Sequence, residues 1–590
     1  MTTRRSKPAR ARPLATTSSR AANLEAIDWE RIRPATRQEL SPILMFSVLF
    51  AFAALMICFS RGYLLLYGDA VAHLGIARRI LDTRNPGLVQ LGGVWLPLPH
   101  LLMLPFVQNM SLWQSGLAGA WPSLVCYILG NVGFYRLCRR LLKPRWAFVA
   151  TAFYAVNPNL LYLATTAMTE PLFLAELIWI ALVTVECVDA IGNLQTRRVN
   201  RNMVGLGLLI FAAVFTRYDG WILGAAAWCV VAWHLWRARE FARSVGRAFA
   251  ILTVLAVTAP LLWFWYNQHF YHDALDFMRG PYSAPAIEKK TSPPGSRHYR
   301  GWHNPAWALL FYTRTAQVLA SAWETGFVLM IAAVAGLWLA LKRRVHLASS
   351  LLWVPLPFYV YSVAYGSVPI FIPQLWPHSY YNARYGMELL PALAVFAAIA
   401  IAALETTWIT ASEPGKARRG RWLYPIALTL AFVNPLAMIF GTTVAQAIVR
   451  IVKHRRSTIF AIYGPPLVLK EAIVNATTRV PFERNVALFL SELPPGSTIL
   501  MQESDHIGAL QDAGIPLRQT INETDYDSWH AALNDPAGHA AYVVAFEGDS
   551  VSKGVAEHPD GLLEVTIIGG TGQRGAHIYQ SQRFGSASGH

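Results

Sequence analysis

Asp69 and His73 stand four residues apart in GDAVAHLGIARR, so on a helix they share one face. A carboxylate in that position can take the proton of an attacking hydroxyl. TTAMTEPLFLAE sets Glu170 at the head of an apolar run and Glu176 inside it. Carboxylates within such a run are costly and point to a function or a buried partner. FTRYDGW places Arg217 beside Asp219, and PHSYYNARYGMELLPA places Arg384 among Tyr380, Tyr381 and Tyr385. A guanidinium is a fixed two-pronged partner for phosphate. Each residue also has a purely structural reading. Asp69 is a preferred helix N-cap, with His73 as its partner or as a surface histidine, and Glu170 is a first-turn acid. Arg217 and Asp219 can hold a turn between them. Arg384 and its tyrosines can anchor a helix at a membrane interface, and Arg78 and Arg79 can sit among headgroups.

What must position these groups is a membrane-spanning scaffold. The chain has 590 residues, of which 54% are hydrophobic and 14% charged. Soluble domains carry about 25% charged residues, so an ordinary soluble enzyme is excluded. Eleven apolar segments fall near 42–66, 113–138, 147–164, 169–190, 203–216, 219–236, 246–266, 323–341, 348–368, 387–407 and 422–445. With the N-terminus inside, the inner connections 138–145, 187–202, 234–247, 341–344 and 415–421 are all basic, as cytoplasmic loops require. The net charge of +17 is accounted for by such loops, without nucleic acid. Two stretches break the alternation: the long outer loop 267–320, and Arg450–Arg456.

The expected organisation is a disordered basic cytoplasmic tail (1–41) with a short helix near Trp29, a transmembrane domain (42–445), a linker (446–479) and a small α/β domain (480–590) on the outer side. The first outer loop, 67–112, holds an amphipathic helix over about 70–82. It also holds VWLPLPHLLMLPF, too short and too proline-rich to span. The five cysteines form no CxxC pair, and no metal ligand set or cofactor motif is readable. The polar groups gather at the outer ends of the helices, so a reaction centre faces outward.

In this order GDAVAH, LPLPHLLMLPF, TEPLF and ARYGMELLPA resemble the motifs of the GT-C superfamily of membrane glycosyltransferases. The likeness is nearest to the dolichyl-phosphate-mannose–protein mannosyltransferases and the bacterial aminoarabinose transferase group, and covers about residues 45–405. It implies an α-helical polytopic membrane protein, and a bacterial inner membrane is expected because no signal for retention in an internal compartment is readable. The implied reaction moves a sugar from a polyprenyl-phosphate donor to an acceptor hydroxyl on a protein, lipid or glycan, at the periplasmic face. Asp69 would be the base and Glu170 would orient the acceptor or sugar. Arg384 and Arg217 would hold the donor phosphate, with His73, Asp219 and Tyr381 available to the substrates. A single displacement inverts the anomeric centre. Those families usually pair two acids where this chain has Asp69-Ala70, which leaves Asp69 alone and weakens the case for a metal. A transporter or flippase, or a polymerase or ligase of lipid-linked glycans, would share the outward cleft. A transporter is disfavoured because no internal repeat is visible and the polar groups lie at one face.

Overall fold

A computed structural model describes residues 34–584 apart from 292–294, 296–297, 323, 343–346, 411–413 and 454–465. The segment around Trp29 lies outside these residues. Helix α1 (Arg37–Ser60) begins on a reciprocal cap, the Thr36 hydroxyl accepting from the Glu39 N–H and the Glu39 carboxylate from the Thr36 N–H. The first outer loop folds into α2 (Gly68–Arg79), α3 (Leu98–Val107) and α4 (Met110–Ser115). Helix α3 has only 10 residues, as its prolines predict.

The bundle continues with α5 (Leu117–Leu141), α6 (Pro144–Ala155), α7 (Pro158–Leu163), α8 (Glu170–Gly192), α9 (Thr196–Val214), α10 (Asp219–Arg237) and α11 (Arg239–Tyr271). After the short α12 (Asp276–Arg279) and α13 (Ala284–Thr291) come α14 (Pro305–Ala320), α15 (Thr325–Lys342), α16 (Pro355–Tyr365), α17 (Leu390–Ile409) and α18 (Pro414–Lys453). Among the described residues, 8 helices are long and apolar enough to cross a membrane. The other three of the eleven expected segments differ in kind. The 147–164 run is broken into α6 and α7, because Asn157 caps α7 through its side chain and Pro158 has no N–H to continue α6. The 203–216 and 219–236 runs are the 19-residue helices α9 and α10. Helix α14 is a correction within the stretch expected as loop 267–320: it buries Phe311, Tyr312 and Leu319 and packs on α16.

Helices α8 and α17 are the inner members, mostly buried, whereas α1, α11, α15 and α18 keep apolar side chains outward. Met45, Val328, Ile331 and Leu430 are examples, and lipid is their natural solvent.

The end of the chain is a helix and a sheet. Helix α19 (Leu467–Ser491) runs through the boundary expected at 480, because its first turn is tied to the bundle: the Val468 N–H donates to Asn159 Oδ1 at 3.0 Å. Strands β1 (Ile499–Met501), β2 (Thr520–Ile521), β3 (Tyr542–Phe546), β4 (Leu562–Gly570) and β5 (Gln573–Ser581) make one sheet in the order β2-β1-β3-β5-β4. The first three are parallel and the last two antiparallel. Helices α20 (Ile507–Ala513), α21 (Asp527–Asn534), α22 (Pro536–His539) and α23 (Ser550–Glu557) lie between and beside the strands. The domain rests on the first outer loop: Gln511 Nε2 donates to the Trp113 carbonyl and Gln114 Nε2 to the Asp512 carbonyl at 3.2 Å. It therefore shares Asp69's side of the bundle.

Candidate active site

Four helix ends meet where α2, α8, α10 and the 3-10 turn Ala383–Leu389 converge. Asp69 is not the cap of α2. The helix starts one residue earlier, Tyr67 is at the cap position without a side-chain bond, and Asp69 points away to Arg384. Arg384 Nη2 donates to Asp69 Oδ2 at 2.5 Å, and Arg384 Nε to Glu170 Oε1 at 3.1 Å. The guanidinium also lies over the rings of Tyr67 and Tyr385. Arg217 forms the second half. Its Nη1 donates to Thr169 Oγ1 at 2.8 Å and lies 3.4 Å from Glu170 Oε1. Its Nη2 lies 2.6 Å from the Tyr359 hydroxyl and 3.2 Å from Glu388 Oε1, and its Nε 3.3 Å from Asp219 Oδ2. The Tyr359 hydroxyl has one hydrogen and two carboxylates in reach, Glu388 Oε1 at 2.6 Å and Asp219 Oδ2 at 3.1 Å.

Two arginines thus share four carboxylates, with Glu170 bridging them. The bridge follows from Pro171, which fixes the first turn of α8 and leaves the Glu170 side chain turned inward. Buried charges are tolerable only when paired, and here each carboxylate has at least one oxygen against a guanidinium. Exposure separates the acids: Glu170, Asp219 and Glu388 are sealed, while the Asp69 side chain is 42% exposed. The cluster therefore offers one reachable carboxylate, and beside it a cation.

Asp69, Glu170, Arg217, Asp219 and Arg384 are brought together. His73 and Tyr381 make no hydrogen bond to the cluster among the described residues. His73 is buried and pairs with His100, Nδ1 to Nε2 at 2.8 Å, against the Trp95 ring. Burial, with the Arg384 and Arg217 charges, holds its pKa at about 3, so the ring is neutral. Tyr381 pairs its backbone with Phe371, and among the described residues its hydroxyl makes no hydrogen bond to the cluster. Glu176 finds a buried partner, accepting from Thr216 Oγ1 at 2.9 Å. Arg78 is not a headgroup contact but pairs with Asp82 at 2.7 Å under Trp113.

Three members were not anticipated. Glu388 lies four residues after Arg384, the helical spacing that marks a shared face. Tyr359 sits among apolar residues and reads as packing. Glu471, on α19, accepts from Tyr67 OH at 3.1 Å and from the Ala383 N–H at 3.3 Å, and so holds the floor beneath Arg384. Among the described residues no three His, Cys, Asp or Glu side chains converge as a metal site.

Residues 97–264 match the family described as dolichyl-phosphate-mannose-protein mannosyltransferase. The chain also superposes on ArnT from Cupriavidus metallidurans bound to undecaprenyl phosphate, with a TM-score of 0.51, 14% identity, and 90% of this chain and 98% of that one covered. The apo form of the same ArnT gives 0.50 and 15%, over 90% and 97%. This chain has the fold of a GT-C membrane glycosyltransferase. No curated protein sequence matches it. The shared fold agrees with the GT-C resemblance carried by the four motifs. The matched stretch begins in the Pro-rich segment before α3 and takes in Glu170, Arg217 and Asp219. Asp69, Arg384 and Glu388 lie beyond it, and join the cluster through the fold alone.

Proposed function

We propose that the protein transfers a sugar from a polyprenyl-phosphate donor to an acceptor hydroxyl at the periplasmic face of a bacterial inner membrane, with inversion, and with Asp69 as general base. The observation that carries this reading is that Asp69 alone among the four clustered carboxylates is open to a second substrate, and that it is held by Arg384. The relative bound to undecaprenyl phosphate supports the donor class.

The chemistry follows from that pair. The leaving group is already a phosphate anion and needs a cation more than a proton. Arg384 supplies two N–H groups in a plane. When it turns an N–H from Asp69 to the arriving phosphate, the Asp69 carboxylate loses its strongest partner and gains a free lone pair. The acceptor hydroxyl then delivers its proton to Asp69 as its oxygen attacks the anomeric carbon and the carbon–phosphate oxygen bond breaks. The products are the inverted glycoside, polyprenyl phosphate and a protonated Asp69. Glu170 fixes the angle between the arginines, and Arg217 backs Arg384 from below. Asp219 and Glu388 keep Arg217 in place.

The test is reconstitution in proteoliposomes with a labelled polyprenyl-phosphate sugar and a membrane extract as acceptor. Release of polyprenyl phosphate coupled to a glycan of inverted anomeric configuration is expected. Label crossing the bilayer still attached to its lipid, with no transfer, would make the protein a flippase instead.

A further inference from the structure

Met45, Leu49, Phe52, Met56 and Phe59 follow one another on α1 at spacings of four, three, four and three, so they form one stripe along the helix. All five are exposed. The stripe is about 21 Å long, enough to cover one leaflet's share, about 15 Å, of the hydrocarbon core. Its last member, Phe59, lines a cavity of about 320 Å³, a size within the range of ligand sites, about 300–1,000 Å³. The cavity lies between the 62–66 turn, α4, α19 and α20, and Val71 closes it from α2. Residues two apart on a helix point about 200° apart, so α2 turns Asp69 to the arginine cluster and Val71 to this cavity.

Among the described residues, the charged groups on the cavity wall are two of each sign: Arg479, Arg484, Glu483 and Asp512. The inner pair is already satisfied. Arg479 Nη1 donates to Glu483 Oε2 at 2.5 Å, and Nη2 donates to the Leu65 and Leu66 carbonyls at 2.9 and 3.2 Å. Glu483 fits so closely because Gly508 has no side chain: a Cβ there would stand 2.3 Å from Oε2. Arg484 and Asp512 form the rim, their side chains 69% and 52% exposed. Their Nε–Oδ2 distance of 3.8 Å is beyond a hydrogen bond, and a pair so exposed contributes little. A zwitterion that enters between them exchanges one loose ion pair for two closer ones, its anion on Arg484 and its cation on Asp512. A polyprenyl phosphate brings only negative charge and would meet Asp512 as a like charge.

We propose that this cavity binds the headgroup of a phosphatidylethanolamine-type phospholipid, with the phosphate on Arg484, the ammonium on Asp512 and an acyl chain along the α1 stripe. Phe59 belongs both to the stripe and to the cavity wall, which makes the two one continuous surface and selects a lipid over a soluble zwitterion. A primary ammonium donates hydrogen bonds to a carboxylate. A quaternary choline nitrogen has no N–H to donate, and a glycerol headgroup has no cation. The site lies across α2 from the arginine cluster and does not depend on the transferase reading.

The experiment is native mass spectrometry of the delipidated full chain, titrated with dioleoyl phosphatidylethanolamine, phosphatidylcholine, phosphatidylglycerol and undecaprenyl phosphate. Phosphatidylethanolamine should bind more tightly than phosphatidylglycerol by about fivefold, the scale of one exposed ion pair, and more tightly than phosphatidylcholine. Asp512→Asn should remove the preference over phosphatidylglycerol by weakening phosphatidylethanolamine alone. Arg484→Gln should weaken all three phospholipids several-fold. Both changes are at exposed rim positions, so melting temperatures should be unchanged, and undecaprenyl phosphate should be indifferent to both. Glycerophosphoethanolamine, the same headgroup without its chains, should bind at least about tenfold more weakly than the lipid. Phosphatidylethanolamine binding no tighter than phosphatidylglycerol, a preference that survives Asp512→Asn, or a headgroup that binds equally well without its chains overturns the proposal. So does the binding of no phospholipid, or competition between phosphatidylethanolamine and undecaprenyl phosphate for one site.

Discussion

The bundle has arginine–carboxylate contacts at both ends, and they are built differently. At the end away from Asp69 they are simple. Arg139 meets Glu39 at 3.0 Å, Arg145 meets Glu405 at 2.5 Å, and Arg136 and Arg140 share Glu186. Most of these arginines reach solvent, with the Arg145 side chain 46% exposed. They tie neighbouring helices and lie where cytoplasmic loops collect basic residues. At the Asp69 end, Arg384 and Arg217 are sunk among acids from four elements, and only one acid is open. The first arrangement costs little and holds helices together. The second is expensive to desolvate and leaves one carboxylate open to solvent beside three that are sealed, which is a poor design for stability and a good one for proton transfer.

The sharpest way to break this contrast is Asp69→Asn. The amide still accepts from Arg384 but cannot take a proton, so transfer should fall at least about a hundredfold with the melting temperature preserved. Glycolipid mass spectrometry of a strain carrying only D69N should match the deletion strain. More than half the wild-type product would remove Asp69 from the reaction.

Arg384→Lys keeps the charge and loses the two-pronged geometry. Donor affinity should weaken by about tenfold or more, as expected for a lost charged hydrogen bond, while acceptor affinity stays. Arg217→Lys is the comparison, and its effect on donor titrations should be smaller because Thr169, Tyr359, Asp219 and Glu388 already occupy it. The reverse order would exchange the two arginines' roles.

The neutral His73 predicts a pH effect on stability rather than on chemistry. Its folded pKa of about 3 lies below the ordinary 6.5, so the unfolded chain takes the proton first as pH falls. Stability is therefore full above about pH 6.5 and declines below it, by about 1 kcal/mol per pH unit until the folded pKa is reached. Melting curves at pH 7, 6 and 5 should show the decline, and His73→Asn should reduce but not abolish it, because burial also holds its partner His100 neutral.

The smallest effect belongs to the opposite end. Arg145→Lys keeps a cation beside the buried Glu405, which also accepts from the Trp146 indole, so stability should change by no more than about 1.5 kcal/mol, the scale of one hydrogen bond, with transfer intact. A large loss of transfer there would erase the difference between the two ends.

Much of the site was legible because charge inside apolar sequence is conspicuous. Asp69, Glu170, Arg217, Asp219 and Arg384 stood out for that reason, and α2 and α3 fell close to their expected places. The errors have specific causes. Asp69 looked like a cap because residue type is all that marks a cap, and whether the side chain turns back to the helix depends on Arg384, 315 residues away. His73 shares a helix face with Asp69, but α3 brings His100 to it first. Tyr359 is an ordinary interfacial residue by composition, and Glu471 lay in a stretch read as a linker. Nothing local links either to the site.

One contact carries a consequence for biosynthesis. Tyr67 meets Glu471 across 404 residues of chain. At about 5–20 residues per second, α2 would be synthesised some tens of seconds before the residue that supports the floor under Arg384. For most of that interval the first outer loop lacks its arginine, and throughout it lacks the domain that covers it. The cluster around Arg384 is thus incomplete until α19 docks, and this late helix, rather than the first outer loop, sets the moment at which the site is assembled.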